Sequence, residues 1–308
     1  MPFPSFFLIF ARNKTIVMSR YLNPKADLTF KKVFGEHPDL VISFLNALLP
    51  FESAEEEIQE VEYLQPEMLP QTPFQNDNLV NVRCRDSRGR LFIVEMQMMW
   101  TLAFKQRVLL NASKAYVSQL PAGSDFSSLQ PVYSLNLVND VYTDSSRYYH
   151  DYRIVELEDT HEVIEGLRFI FVELPKFTPR SYSEKRMQVL WLRYLTEIDD
   201  TTYVITNELM DNPLIMEAIL QLEFFNYTEA QLRGYERFWD HVSIERTLIS
   251  EAKKRGFKEG MEKALQEGME KGKKEKALEM VRRMKQRGYP VDDIADMTGL
   301  NPDEIESL

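Results

Sequence analysis

Cysteine occurs once, as Cys84, so no intramolecular disulfide can form and a reducing, cytoplasmic setting is the expectation. Histidine occurs four times, at His37, His150, His161 and His241, with no HExxH and no CxxC pair. A zinc site or a Cys/His nucleophile pair therefore has little support. The opening run FFLIFA is far shorter than the roughly 20 apolar residues that span a bilayer. No basic residue precedes it and no A-x-A site follows it, which argues against a signal peptide. An overall positive balance is missing too. The net charge of -11 argues against wholesale coating of nucleic acid, while leaving room for a local basic patch.

What is present suits a folded protein of one large domain or two smaller ones. Of 308 residues, 44% are hydrophobic and 12% aromatic, enough for a sizeable core. Residues 1–17 read either as an extension ahead of a start at Met18 or as a frayed arm. Residues 18–250 interleave helical and strand patterns, so the class is α/β or α+β with a mixed sheet. Two helices are expected over 23–50, punctuated by Gly35 and Pro38, then an edge strand near Val61–Leu64. A helix over 101–120 carries a stripe at Leu102, Leu109, Ala112 and Tyr116, and strands follow at 131–140, 151–159 and 167–177.

Residues 251–308 differ in texture. Between 251 and 290 there are 13 Lys/Arg against 7 Asp/Glu, a local +6 that leaves -17 elsewhere. Small residues recur at 256, 260, 264, 268 and 272. Each Gly in a helix costs ~1 kcal/mol against Ala, so the stripe suggests close approach of another helix, and contact with a second copy of the chain is expected. The bland reading is a solvated spacer. At the end, TGLNPD separates two short helices, with Asn301 as cap and Pro302 at the first position. This resembles the start of a helix-turn-helix without a third supporting helix.

The segment NLVNVRCRDSRGRLFIVEMQM (78–98) reads as a hairpin. A three-residue loop, Ser87-Arg88-Gly89, pairs Cys84 with Phe92, Val82 with Val94 and Val80 with Met96, which makes one apolar face. On the other face Asn81 stands opposite Glu95, and Leu79 opposite Gln97. A shift of one residue would set polar groups against apolar ones. A carboxylate between Ile93, Val94 and Met96 is costly unless paired, hydrogen-bonded or bound to a metal. Hard divalent ions prefer carboxylate and carbonyl oxygens.

Together LNPKADLTFKKVFG, VNVRCRDSRGRLFIVEMQM, FKQRVLLNASKAYVSQL, PVYSLNLV and the KEGMEKALQEGMEKG…MTGLNPDEI tail resemble the PD-(D/E)XK nuclease family transposases, also called recombination-promoting nucleases (Rpn), from about Tyr21 to Leu308. The resemblance implies a restriction-endonuclease-like core, a mixed sheet flanked by helices. It also implies Mg²⁺-dependent cleavage of DNA, with Mn²⁺ as an alternative ion, and a link to recombination. It carries Glu95 onto the family's metal-binding Glu. Gln97 falls where related nucleases have Lys and this family has Gln, and Asp27 falls on the acidic residue of the first helix. Where the family expects Asp on the first strand, this chain has Asn81, which offers a carbonyl oxygen without a charge.

The expectation is thus a Mg²⁺-dependent DNA endonuclease whose Glu95 and Asn81 hold the metal and whose Gln97 orients the attacking water. Asp27 stands nearby, and Lys105 and Arg107 reach a DNA phosphate. Catalysis is weakened by Asn81. The alternative is an inactive family member that binds DNA or protein. Residue by residue, Glu95 could instead be a buried acid bonded to Arg83 or Arg107, Asp27 a helix cap, and Lys105 and Arg107 a solvated face.

Overall fold

The computed structural model describes residues 21–64, 80–120, 123, 125–179 and 186–307, with the backbone alone at 80 and 81. Residues 1–17 and Leu79 lie outside the described residues. The first helices are Asp27–Glu36 (α1) and Pro38–Leu48 (α2). Pro38 starts α2 at no hydrogen-bond cost, because the first N–H groups of a helix lack intrahelical acceptors anyway. Phe30, Phe34, Leu40 and Phe44 are fully buried. Phe34 and Phe44 each place a ring 5.4 Å from Trp191 of Arg186–Glu197 (α4).

The sheet has six strands: Val61–Tyr63 (β1), Val80–Asp86 (β2), Leu91–Gln97 (β3), Val132–Val138 (β4), Tyr149–Val155 (β5) and Val163–Glu173 (β6). Their order is β1-β2-β3-β4-β6-β5. The β3–β4 and β4–β6 pairs are parallel and the others antiparallel, so the sheet is mixed as expected. Six of the seven residues of β3 are buried. That is the signature of a strand covered on both faces. α1 packs beside β2, with Gly35 facing Val82. On the opposite face Ala112 and Ala115 of Phe104–Val117 (α3) pack against Leu91, Ile93 and Val132.

The expected register of the β2–β3 hairpin is observed: Asn81 pairs with Glu95, Val82 with Val94 and Cys84 with Phe92. Gly89, at φ 83°, takes the left-handed position that closes the loop. The Asp86 carboxylate accepts from the backbone N–H of Arg88 (3.1 Å) and Arg90 (2.8 Å) and from Arg90 Nε (2.7 Å). One expectation fails on α3. Leu102 and Leu109 are exposed, at 89% and 51%, and the buried face is Phe104, Val108, Ala112 and Ala115. The helix begins only at Phe104, so Leu102 lies in the preceding turn, and the close approach to β3 selects the alanines.

Asn207–Met210 (α5) and Pro213–Leu220 (α6) follow α4, and then Glu229–Gln286 (α7). The chain divides into two compact units that meet between Val242 and Ser243, within α7. In the second unit, Val281 and Met284 of α7 enclose a small core with Ile294 of Val291–Thr298 (α8) and Ile305 of Pro302–Glu306 (α9). The Asn301 side chain caps α9 and Pro302 opens it. The helix-turn-helix-like end is therefore supported after all, by the helix that precedes it. No helix among the described residues is long and apolar enough to cross a membrane.

Candidate metal and nucleic-acid site

Strand alternation puts Glu95 and Gln97 on the same face of β3, the face that α3 covers. Helical periodicity puts Arg107 and Asn111, four residues apart, on one side of α3. The chain reverses between the two elements, so Asn111 meets Glu95 and Arg107 meets Gln97. Asn111 Nδ2 donates to Glu95 Oε1 at 3.0 Å. Arg107 Nη2 donates to Gln97 Oε1 at 2.6 Å, and Gln97 Nε2 donates to the Met99 carbonyl at 2.7 Å. The Arg107 guanidinium also lies over the Phe104 ring, 5.0 Å from its centroid.

Glu95 is 1% exposed, yet its Oε2 has no hydrogen-bond partner among the described residues. Burying a carboxylate oxygen without a partner is expensive. Arg83 supplies part of the compensation through its charge. Burial pulls its guanidinium below the usual arginine range, and the nearby Glu95 carboxylate pulls it back up. Arg83 Nε is itself buried without a hydrogen-bond partner among the described residues. Asn111, which neither sequence alternative named, donates a hydrogen bond to Glu95.

A second buried glutamate provides the contrast. Glu173, at the end of β6, is fully buried and accepts from Tyr142 N–H (2.8 Å), Thr143 Oγ1 (2.6 Å) and Lys176 Nζ (2.9 Å), with His150 Nε2 at 2.8 Å. Burial pushes its carboxyl up, but these donors outweigh it and hold the group down at about 2. The fold thus can satisfy a buried carboxylate completely. It does so for Glu173, whereas one oxygen of Glu95 has no partner among the described residues.

The remaining expected residues are placed as follows. Asn81 is the Cα partner of Glu95 across the ladder. Asp27 lies in the first turn of α1, paired with Lys31 Nζ at 2.7 Å, as a first-turn acid with an i,i+4 partner. Lys105 is exposed, and its Nζ stands 5.8, 5.3 and 5.4 Å from the ring centroids of Trp100, Tyr142 and Tyr152. A separate group, His37, Asp39 and Glu217, brings ligand atoms within 4.8 Å of one another and includes no residue of the β3–α3 cluster.

Sequence reading missed Asn111. Its only signal was the four-residue step from Arg107 on a helix that follows the hairpin. It missed the Glu173 network as well, although a charged residue closing the apolar run LRFIFVE was visible.

What the described residues present suits a hard divalent cation: a buried carboxylate oxygen with no partner among them and its sister oxygen fixed by an amide, with Asn81 the Cα partner across the ladder. No curated protein and no solved structure matches the chain. The model of one family, PD-(D/E)XK nuclease family transposase, matches residues 24–246, which take in both helices of the first layer, the whole sheet and α3. With nearly three quarters of its length matched, the chain belongs to the PD-(D/E)XK nuclease family transposases.

Proposed function

We propose that this protein is a divalent-metal-dependent DNA endonuclease of the recombination-promoting kind, with a site weakened by Asn81. The open Oε2 of buried Glu95 is the observation that carries the reading. Glu95 and Asn81 would hold the ion, Mg²⁺ or Mn²⁺. A bound divalent ion would supply an acidified water and neutralise charge on a phosphodiester. Asn111 keeps Glu95 aimed by holding its other oxygen. Gln97 has both ends of its amide engaged, so in this arrangement it orients Arg107 toward a phosphate. Reorientation on DNA binding would free it to orient water. Lys105, backed by three aromatic rings, offers a second cation to the DNA backbone. Asp27 would act from α1 by electrostatics.

Within this reading residues 18–250 carry the chemistry in a reducing, cytoplasmic setting, and residues 251–308 associate with a second copy. The test is a plasmid-nicking assay in Mg²⁺ and in Mn²⁺, beside Glu95→Ala, with calorimetric titration of each ion. Nicking that Glu95→Ala abolishes supports the reading. Nicking unaffected by Glu95→Ala rejects it.

Asn81 favours a second reading. An amide in place of a carboxylate removes a full charge, and Coulomb attraction is the main term that holds Mg²⁺. The chain would then act by binding DNA or protein without cutting. DNA binding with neither metal uptake nor nicking would favour it.

A further inference from the structure

We propose that residues 257–271 of α7 form an antiparallel interface with a second copy of this chain, about a two-fold axis near Ala264 and Leu265. This gives partner, direction and pairing to the self-association proposed above, and rests on that reading alone, not on the nuclease chemistry.

Three rows of side chains run along α7 with a step of four residues, each winding about 40° around the helix per step. The first is Gly256, Gly260, Ala264, Gly268 and Gly272; a Cβ added at any of its glycines would meet nothing within 4 Å. Beside it runs an apolar row, Phe257, Met261, Leu265 and Met269, exposed by 74%, 63%, 65% and 60%. On the other side runs a charged row: Arg255, Glu259, Lys263, Glu267, Lys271, Glu275. Rows with this step are the ridges and grooves by which helices pack at about -50°. The glycine row is a groove, and its missing side chains allow axes closer than the usual 8–10 Å. Four large apolar side chains in one exposed row are a surface that water disfavours.

The charges identify the occupant. The row alternates in sign at all six positions. When a helix meets its own copy antiparallel, the same row faces itself along one side of the contact. A two-fold axis near Ala264–Leu265 then sets Glu259 against Lys271 and Lys263 against Glu267, in both directions, while Arg255 and Glu275, about 200° apart around the helix, turn away from the contact. Every pair is of opposite sign. A parallel, in-register pair sets the charged row of each helix against the apolar row of the other, so no ion pair forms. The same axis brings the glycine rows together and lays Phe257 toward Met269 and Met261 toward Leu265 on the other flank. Exposed ion pairs contribute little individually, so the apolar row supplies the affinity and the charged row the direction.

Cross-linking of the full-length protein tests this without metal or DNA. Glu259→Cys and Lys271→Cys are made separately, and a short bis-maleimide is added to each alone and to their mixture; wild type, whose Cys84 is fully buried, is the control. The expected result is a cross-linked dimer in the mixture only. Cross-linking of each variant with itself would show a different pairing and overturn the proposal. So would the absence of any cross-link, or a wild-type monomer at every concentration in sedimentation equilibrium. Glu259→Lys should weaken the dimer roughly three- to tenfold, by two like-charge contacts, and Glu259→Lys/Lys271→Glu should restore it. Failure of that rescue also counts against the pairing.

Discussion

Asn111 Nδ2 lies 3.0 Å from Glu95 Oε1, a hydrogen bond that spans sixteen positions of sequence and ties α3 to β3. It fixes one oxygen of a buried carboxylate and so decides where the other points. Asn111→Leu should cost about 1–3 kcal/mol, because both Glu95 oxygens then lack partners. Urea denaturation measures it. Asn111→Asp should be worse at neutral pH and recover as pH falls, since it sets two carboxylates side by side. An Asn111→Leu variant as stable as wild type would mean that the bond contributes nothing.

Asn81→Asp should restore a second anionic group opposite Glu95. Mg²⁺ affinity and nicking rate should both rise, by tenfold or more if the substitution recovers on the order of 1.4 kcal/mol. Titration calorimetry separates binding from chemistry. Equal nicking by wild type and variant, both lost in Glu95→Ala, would make Asn81 a competent ligand as it stands.

Glu173 makes stability depend on acid. Its folded carboxyl is held at about 2, below the ordinary 4.5. The contribution is therefore present in full above 4.5 and is lost as pH falls from there toward 2. It amounts to at most about 3 kcal/mol by that linkage. Midpoints of urea unfolding from pH 7 to pH 3 should fall more steeply for wild type than for Glu173→Gln. Parallel profiles would exclude Glu173 as the source.

Cys84 should resist thiol reagents. Burial, and then the charge of Asp86, push its thiol up to about 12, so almost no thiolate forms at pH 8. Labelling with iodoacetamide should follow global unfolding as urea is raised. Rapid labelling of the native protein would contradict the buried position.

The hairpin was legible because its determinants are local: a turn sequence with Gly at the left-handed position, and alternation that tolerates only one pairing. The two opening helices were legible for the same reason, and the mixed sheet from the interleaving of helical and strand patterns along the chain. The face of α3 was not, because Leu102 and Leu109 complete a plausible stripe until the helix start at Phe104 is known. Asn111 was invisible for a deeper reason. Its role exists only once α3 has docked on β3, and nothing near it in sequence announces that contact. The same holds for Glu173, whose partners come from three separate segments.

Gly89 stands at the tip of the hairpin, six positions from Glu95. A substitution there strains one turn. A lost or gained codon between Ser87 and Gly89 does something different in kind, because it changes which residue of β2 stands across from Glu95. Asn81 would give way to Val80 or Val82, and the carboxylate would face a valine. The loop is therefore a reading head for the whole site. In-frame deletions at the tip should be as damaging as removal of Glu95 itself.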